Sequence, residues 1–298
     1  MKTELSVELA GRDLLRPSDF APAENEAVLD LASRLKAGPK YDRLLPGRTL
    51  GLLFFKHSTR TRVSLAAGIA QLGGTAIPLD PHELQLARGE SLSDTARVLS
   101  SYLDAIAVRT YAHADLEEWA EAASIPVVNA LTDEQHPVQA LADVLTIRER
   151  LGGTDGVRVA WLGDGTNVLV SLAELGAQLG MTTVAACPRG YDPPELEGVI
   201  VRDPREAVAG ADVLVTDTWT SMGEERNRDE RLRDLDAYRL DASLCELASP
   251  DAIVLHCLPA HAGEEITPDV LYGPRSAIWD EAENRLHVQK ALLALLLA

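Results

Sequence analysis

The sequence predicts an α/β protein built from two doubly wound domains with parallel central sheets, joined by inter-domain helices. Three observations carry that expectation. Short apolar runs rich in Val, Ile and Leu alternate with helical patterns along nearly the whole chain. The runs lack polar alternation, as strands covered on both faces do. The chain has 298 residues, more than one typical domain, so two are expected.

In chain order, the expected strands span 49–55, 75–79, 105–109, 126–129, 158–163, 182–187, 212–216 and 252–257. Each is bounded by turn-forming or helical sequence, and each is too short to be a buried helix. The expected helices span 59–72, 91–102, 137–151, 167–179 and 281–297. Pro137 opens the third of these at a position that tolerates proline, and Gly152-Gly153 stops it. That long helix reads as a connector. It divides the chain into a first domain of residues 1–135, completed by the C-terminal helix at about 280–298, and a second of residues 136–279. The stretch 223–241 (GEERNRDERLRD at its start) is crowded with charge and reads as a solvated surface helix or loop, with a closing lid over 223–233 as the sharper alternative.

Charge narrows the function classes. Lys and Arg number 28 against 46 Asp and Glu, a net −18, which argues against nucleic acid or an anionic membrane as a partner. The three cysteines, Cys187, Cys245 and Cys257, lack metal-ligand spacing, so neither a disulfide framework nor a metal site is expected. The N-terminus has no apolar signal core, and the most apolar segment, 291–298, is too short to span a bilayer. A cytoplasmic protein is the expectation.

Against that acidic background, KHSTRTRVS (56–64) concentrates Lys56, Arg60 and Arg62 where a strand runs into a helix. Ser58 is a good N-cap, and the N–H groups that follow it form a phosphate cradle at a helix start. Thr59 and Thr61 add hydroxyls, and Arg60 can fork onto phosphate oxygens. Arg62, two residues on, faces another way and is expected to make a structural ion pair. An ordinary capped helix with surface arginines is the bland reading. The place of the run, at the C-terminal end of an expected central strand, weighs against it.

Two further stretches stand out. In HPVQ, His136 can donate to a carbonyl oxygen, with Gln139 one turn along the same helix face. HCLPA (256–260) ends the last strand with Cys257 and with Pro259 as a candidate for a cis bond. GDGTN (163–167) imitates a dinucleotide-binding turn, but Val168 stands at the third glycine and no acid follows the next strand at AACPR. A nucleotide-dependent dehydrogenase is therefore disfavoured.

Together STRTR, HPxQ and HCLP resemble, in order and interval, the aspartate/ornithine carbamoyltransferase family, from about Leu50 to the C-terminal helix. DTWTSMG (217–223) resembles the family's ornithine-specific loop. The resemblance implies transfer of the carbamoyl group of carbamoyl phosphate to L-ornithine, giving citrulline and phosphate, as in arginine biosynthesis. It implies a carbamoyl-phosphate-binding first domain and an ornithine-binding second domain, a homotrimer with sites at subunit interfaces, and no cofactor. Ser58, Thr59, Arg60, Thr61, Arg109 and Arg285 then match carbamoyl phosphate contacts, with His136, Gln139, Cys257 and Leu258 around the carbamoyl group. Gln85 matches a residue lent to the neighbouring subunit. Asn167, Asp217, Ser221 and Met222 match contacts to ornithine. Arg60, His136, Cys257 and Asp217 are the catalytic candidates, with Cys257 tuning the amine near Asp217 in preference to a covalent role. Phe55, Val138 and Ala262 depart from residues common in the family without removing a ligand-contacting type. A carbamoyltransferase for aspartate, putrescine or N-acetylornithine, or a regulatory paralogue, are the alternatives.

Overall fold

A computed structural model describes residues 8–220 and 227–298. The chain forms two compact units, residues 1–142 with 284–298, and residues 143–283.

The first unit contains α1 (Pro22–Ala37), β1 (Thr49–Phe54), α2 (Arg60–Gln71), β2 (Thr75–Leu79), α3 (Leu92–Ser100), β3 (Ala105–Arg109), α4 (His113–Ala122) and β4 (Val127–Leu131). It ends within α5 (Pro137–Leu151). Its sheet is wholly parallel in the order β2-β1-β3-β4. The chain therefore reverses its winding direction between β1 and β3, and in such sheets ligands bind beyond the carboxyl ends of the strands at that switch. Leu53, Ile106, Val108, Leu116, Trp119 and Val127 pack together in its core. Gly51 lets the strands close: a Cβ there would sit 2.6 Å from Leu103 Cδ1.

The second unit contains β5 (Arg158–Leu162), α6 (Asn167–Gln178), β6 (Thr182–Ala186), β7 (Val199–Val201), α7 (Pro204–Val208), β8 (Val213–Thr216), α8 (Arg228–Leu235), α9 (Ala242–Cys245), β9 (Ile253–Leu255) and α10 (Pro268–Leu271). Its sheet is also parallel, in the order β7-β6-β5-β8-β9, with the switch between β5 and β8. Leu162, Leu214, Val254, Trp219 and Ile278 lie in its core. The last helix, α11 (Ile278–Leu296), passes from this unit into the first.

All eight expected strands are present, and the α/β class with parallel sheets holds. β1, β5, β6, β8 and β9 are trimmed at one or both ends, β2 and β3 keep their expected bounds, and β4 runs two residues further than expected, to Leu131. The edge strand β7 and helices α1, α4, α7, α9 and α10 lie outside the expected elements. β7 is three residues long with an exposed face, and α9 and α10 are single turns, so none carries a full period of pattern. α1 did carry one, in Val28, Leu29, Ala32 and Leu35, with Pro22 in its first turn. The charged stretch after residue 226 forms α8, a surface helix in which Asp229, Glu230, Arg233 and Asp234 are exposed, Arg228, Arg231 and Leu232 are half-buried and Leu235 is buried. Among the described residues, no helix is long and apolar enough to cross a membrane.

Candidate active site

At the switch of the first unit, three loops leave the carboxyl ends of β1, β3 and β4. Phe55 N–H donates to Arg109 O (2.8 Å), Thr110 N–H to Leu131 O (3.1 Å) and Asp133 N–H to Tyr111 O (2.8 Å), so the loops are stitched side by side. Lys56 reinforces this: its ammonium pairs with Asp133 and lies 4.3 Å over the Tyr111 ring. That cation is thus committed to structure. Thr59 already has helical dihedrals (φ −79°, ψ −54°), and Ser58 Oγ accepts from Thr61 N–H at 3.3 Å. The cap is the expected one, and it turns the first turn of α2 toward the switch. Arg60 is exposed at that turn. Arg62 corrects one expectation: its guanidinium lies 5.4 Å over the Phe54 ring, a cation–π contact where an ion pair was expected.

Three helices bring further polar groups together. Arg285 of α11, 5% exposed, donates from Nη2 to Thr61 Oγ1 of α2 (2.7 Å) and from Nη1 to Gln139 Oε1 of α5. His136 is buried at the start of α5. Burial, then the charges of Arg285 and Arg109, hold its pKa well below 6.5, so the ring is neutral. A neutral imidazole among fixed cations can donate a hydrogen bond to a carbonyl oxygen without carrying charge of its own, in a field that favours an anion. Gln85, by contrast, is exposed on a short 3-10 turn (Gln85–Arg88), its Oε1 3.4 Å from Arg88 Nη1, apart from these groups.

The second unit presents its own cluster beyond β5, β8 and β9. Asp217, buried, accepts from Thr218 N–H (2.7 Å), Thr166 Oγ1 (3.2 Å) and Cys257 Sγ (2.8 Å). Burial and then Asp217 push the Cys257 thiol well above 9.0, so it is a protonated donor. A thiolate nucleophile is disfavoured by that environment. Leu258 has φ +60° and donates its N–H to His256 Nδ1 (2.9 Å); His256 Nε2 then donates to Glu265 Oε1 (3.1 Å). The Leu258–Pro259 peptide is cis. Asn167 begins α6, one residue after Thr166.

GDGTN serves packing. A Cβ at Gly163 (φ +114°) would lie 2.9 Å from Trp219 Nε1, and one at Gly165 would lie 2.4 Å from Pro193. Protein atoms fill the space that a pyrophosphate would need there. The segment after Asp217 is anchored by Arg231, which pairs with Asp164 and donates to Trp219 O (2.6 Å). Ser221, Met222 and residues 223–226 of the expected lid lie outside the described residues. Thr166, Thr218, Glu265 and Arg231 escaped sequence reasoning. Thr166 occupies the N-cap position of α6, a signal that was available. Arg231 sits amid undifferentiated charge, where only the fold picks it out.

Residues 12–149 match the family model described as the carbamoyl-P binding domain of aspartate/ornithine carbamoyltransferase, and residues 155–296 match its Asp/Orn binding domain. The ornithine carbamoyltransferase of Symbiobacterium thermophilum is 48% identical, covering 97% of this chain and 99% of its own. That of Acidothermus cellulolyticus is 52% identical, covering 96% of each. The solved ornithine carbamoyltransferase of Pyrococcus furiosus superposes with a TM-score of 0.94 at 46% identity, covering 98% of both chains. With both halves matched, and relatives of this closeness along nearly its full length, the chain belongs to the aspartate/ornithine carbamoyltransferase family.

Proposed function

We infer that the protein transfers the carbamoyl group of carbamoyl phosphate to the δ-amine of L-ornithine, giving L-citrulline and phosphate. The observation that carries this reading is the buried guanidinium of Arg285 joined to Thr61 and Gln139 beside a neutral His136. It is a fixed positive site for a small anion in an otherwise acidic protein.

In this reading residues 1–135, completed by about 280–298, bind carbamoyl phosphate, and residues 136–279 bind ornithine. Ser58, Thr59, Arg60, Thr61 and Arg109 hold the phosphate, which leaves toward the N-terminus of α2. His136, Gln139 and Arg285 hold the carbamoyl group, and His136, Arg60, Arg285 and the Thr61 hydroxyl stabilise the oxyanion formed when the amine attacks. Asn167, Asp217, Ser221 and Met222 hold ornithine's α-amino and carboxylate groups. Cys257 and Leu258 orient the δ-amine, which attacks after losing a proton. Carbamoyl phosphate is already an activated acyl donor, so the reaction calls for neither metal nor organic cofactor. Much of the acceleration comes from holding two substrates in reacting geometry.

The same reading makes the protein a cytoplasmic homotrimer in arginine biosynthesis, with sites at subunit interfaces and Gln85 lent to a neighbour. The exposure of Gln85 and of Ile77 on the edge strand β2 supports that assembly. The test is stoichiometry. Purified protein given carbamoyl phosphate and ornithine should form citrulline and phosphate one for one. Phosphate release without citrulline would refute the transfer.

A further inference from the structure

His113 is buried at the start of α4 and belongs to no motif discussed so far. Both ring nitrogens have partners. Arg16 Nη2 lies 3.1 Å from Nε2, and an arginine can only donate, so Nε2 accepts. The proton is therefore on Nδ1, which donates to Thr132 Oγ1 at 3.0 Å. Burial first, then the charge of Arg16, lowers the His113 pKa, which keeps this tautomer neutral; Glu117, Glu134 and Asp19 oppose the shift.

Thr132 opens the turn that delivers His136. Its hydroxyl also accepts from Gln135 N–H (3.1 Å), and its own N–H donates to Gln135 O (2.9 Å). Asn129 closes the same turn, donating to Gln135 O (3.4 Å) and accepting from Leu131 N–H (2.8 Å). Leu131, at the hinge, has φ +149°, a conformation unfavourable for a leucine that persists only where the surrounding structure holds it. One buried donor thus fixes the hydroxyl around which a strained turn is organised, and the next residue is His136.

We propose that His113 is a positioning residue for carbamoyl phosphate, setting the height of His136 and Gln139 through the Thr132 hydroxyl. The proposal rests on the substrate reading above. Nδ1 is the atom that matters: an asparagine places an amide N–H near Nδ1, whereas a glutamine reaches the Nε2 position and removes the donor that His113 supplies to Thr132 Oγ1.

The test measures carbamoyl phosphate binding by calorimetry on the intact protein, together with kcat, both KM values and thermal stability. His113→Gln should raise the carbamoyl phosphate Kd about tenfold, with ornithine KM unchanged, and His113→Asn should restore most of it. Thr132→Val, which is isosteric, should reproduce the loss, and Thr132→Ser should not. The glutamine and valine changes combined should lose little more than either alone. Equal Kd values for wild type, His113→Gln and Thr132→Val, or equal losses for His113→Asn and His113→Gln, would overturn the role, even if melting temperatures fell. Wild-type protein that does not bind carbamoyl phosphate would instead overturn the substrate reading beneath it.

Discussion

Replacing Arg285 with methionine removes a guanidinium that is 5% exposed and held by Thr61 Oγ1 at 2.7 Å and by Gln139 Oε1. Stability and catalysis should respond very differently. Two acceptors lose a donor, costing about 1–3 kcal/mol each. Removing a buried charge recovers a desolvation penalty of several kcal/mol. The two terms offset, so the unfolding free energy should move by less than about 2 kcal/mol. Catalysis has no such offset. A charged donor aimed at a developing oxyanion is worth about 2.7–4 kcal/mol, or ~10²–10³ in turnover. The assay pairs citrulline formation with urea denaturation of the same preparations. Arg285→Lys should fall between, since a compact ammonium lacks the planar fork that spans two helices. A methionine variant that remains folded with kcat/KM within about threefold of wild type would refute the assignment of Arg285 to the reacting centre.

Three other outcomes follow from the same geometry. Arg60→Ala should lower kcat/KM by ~10³-fold or more through lost charge stabilisation, measured by the same citrulline assay. Cys257→Ser should retain turnover within about tenfold, because a hydroxyl can replace the thiol as donor to Asp217; complete loss in a folded variant would speak for a covalent role. His136 should remain neutral by NMR at pH 6.5, where an ordinary histidine is half protonated. Its folded pKa is the depressed one, so the unfolded chain takes up the proton first. Its contribution to stability is therefore intact above about 6.5 and lost as pH falls below that value.

Much of this was legible in the chain because parallel strands buried on both faces write themselves as apolar runs, and α/β sheets place ligands at strand ends. Ser58, Thr61 and His136 could be read that way, each sitting where an expected strand gives way to an expected helix. The bond from Arg285 to Thr61 could not. It joins residues on α11 and α2, far apart in sequence, and no local pattern encodes it. Nor could the commitment of Lys56 to Asp133 and Tyr111, which ties that cation to the loops beyond β3 and β4. The buried state of His113 was equally hidden, because HADLEEWAEA reads as a polar surface helix until the fold turns its first residue inward. Local sequence marks the strand-to-helix turns; packing between distant residues decides which partners their charges meet.

The most direct test of the central claim offers L-ornithine, L-aspartate, putrescine and N-acetylornithine in parallel to the purified protein with carbamoyl phosphate, and measures ureido product. Turnover with ornithine, and little with the other three, is the expected result. Preference for another amine would leave the anion site of the first unit standing but contradict the assignment of ornithine to Asn167, Asp217, Ser221 and Met222. No product with any of them would contradict the account as a whole.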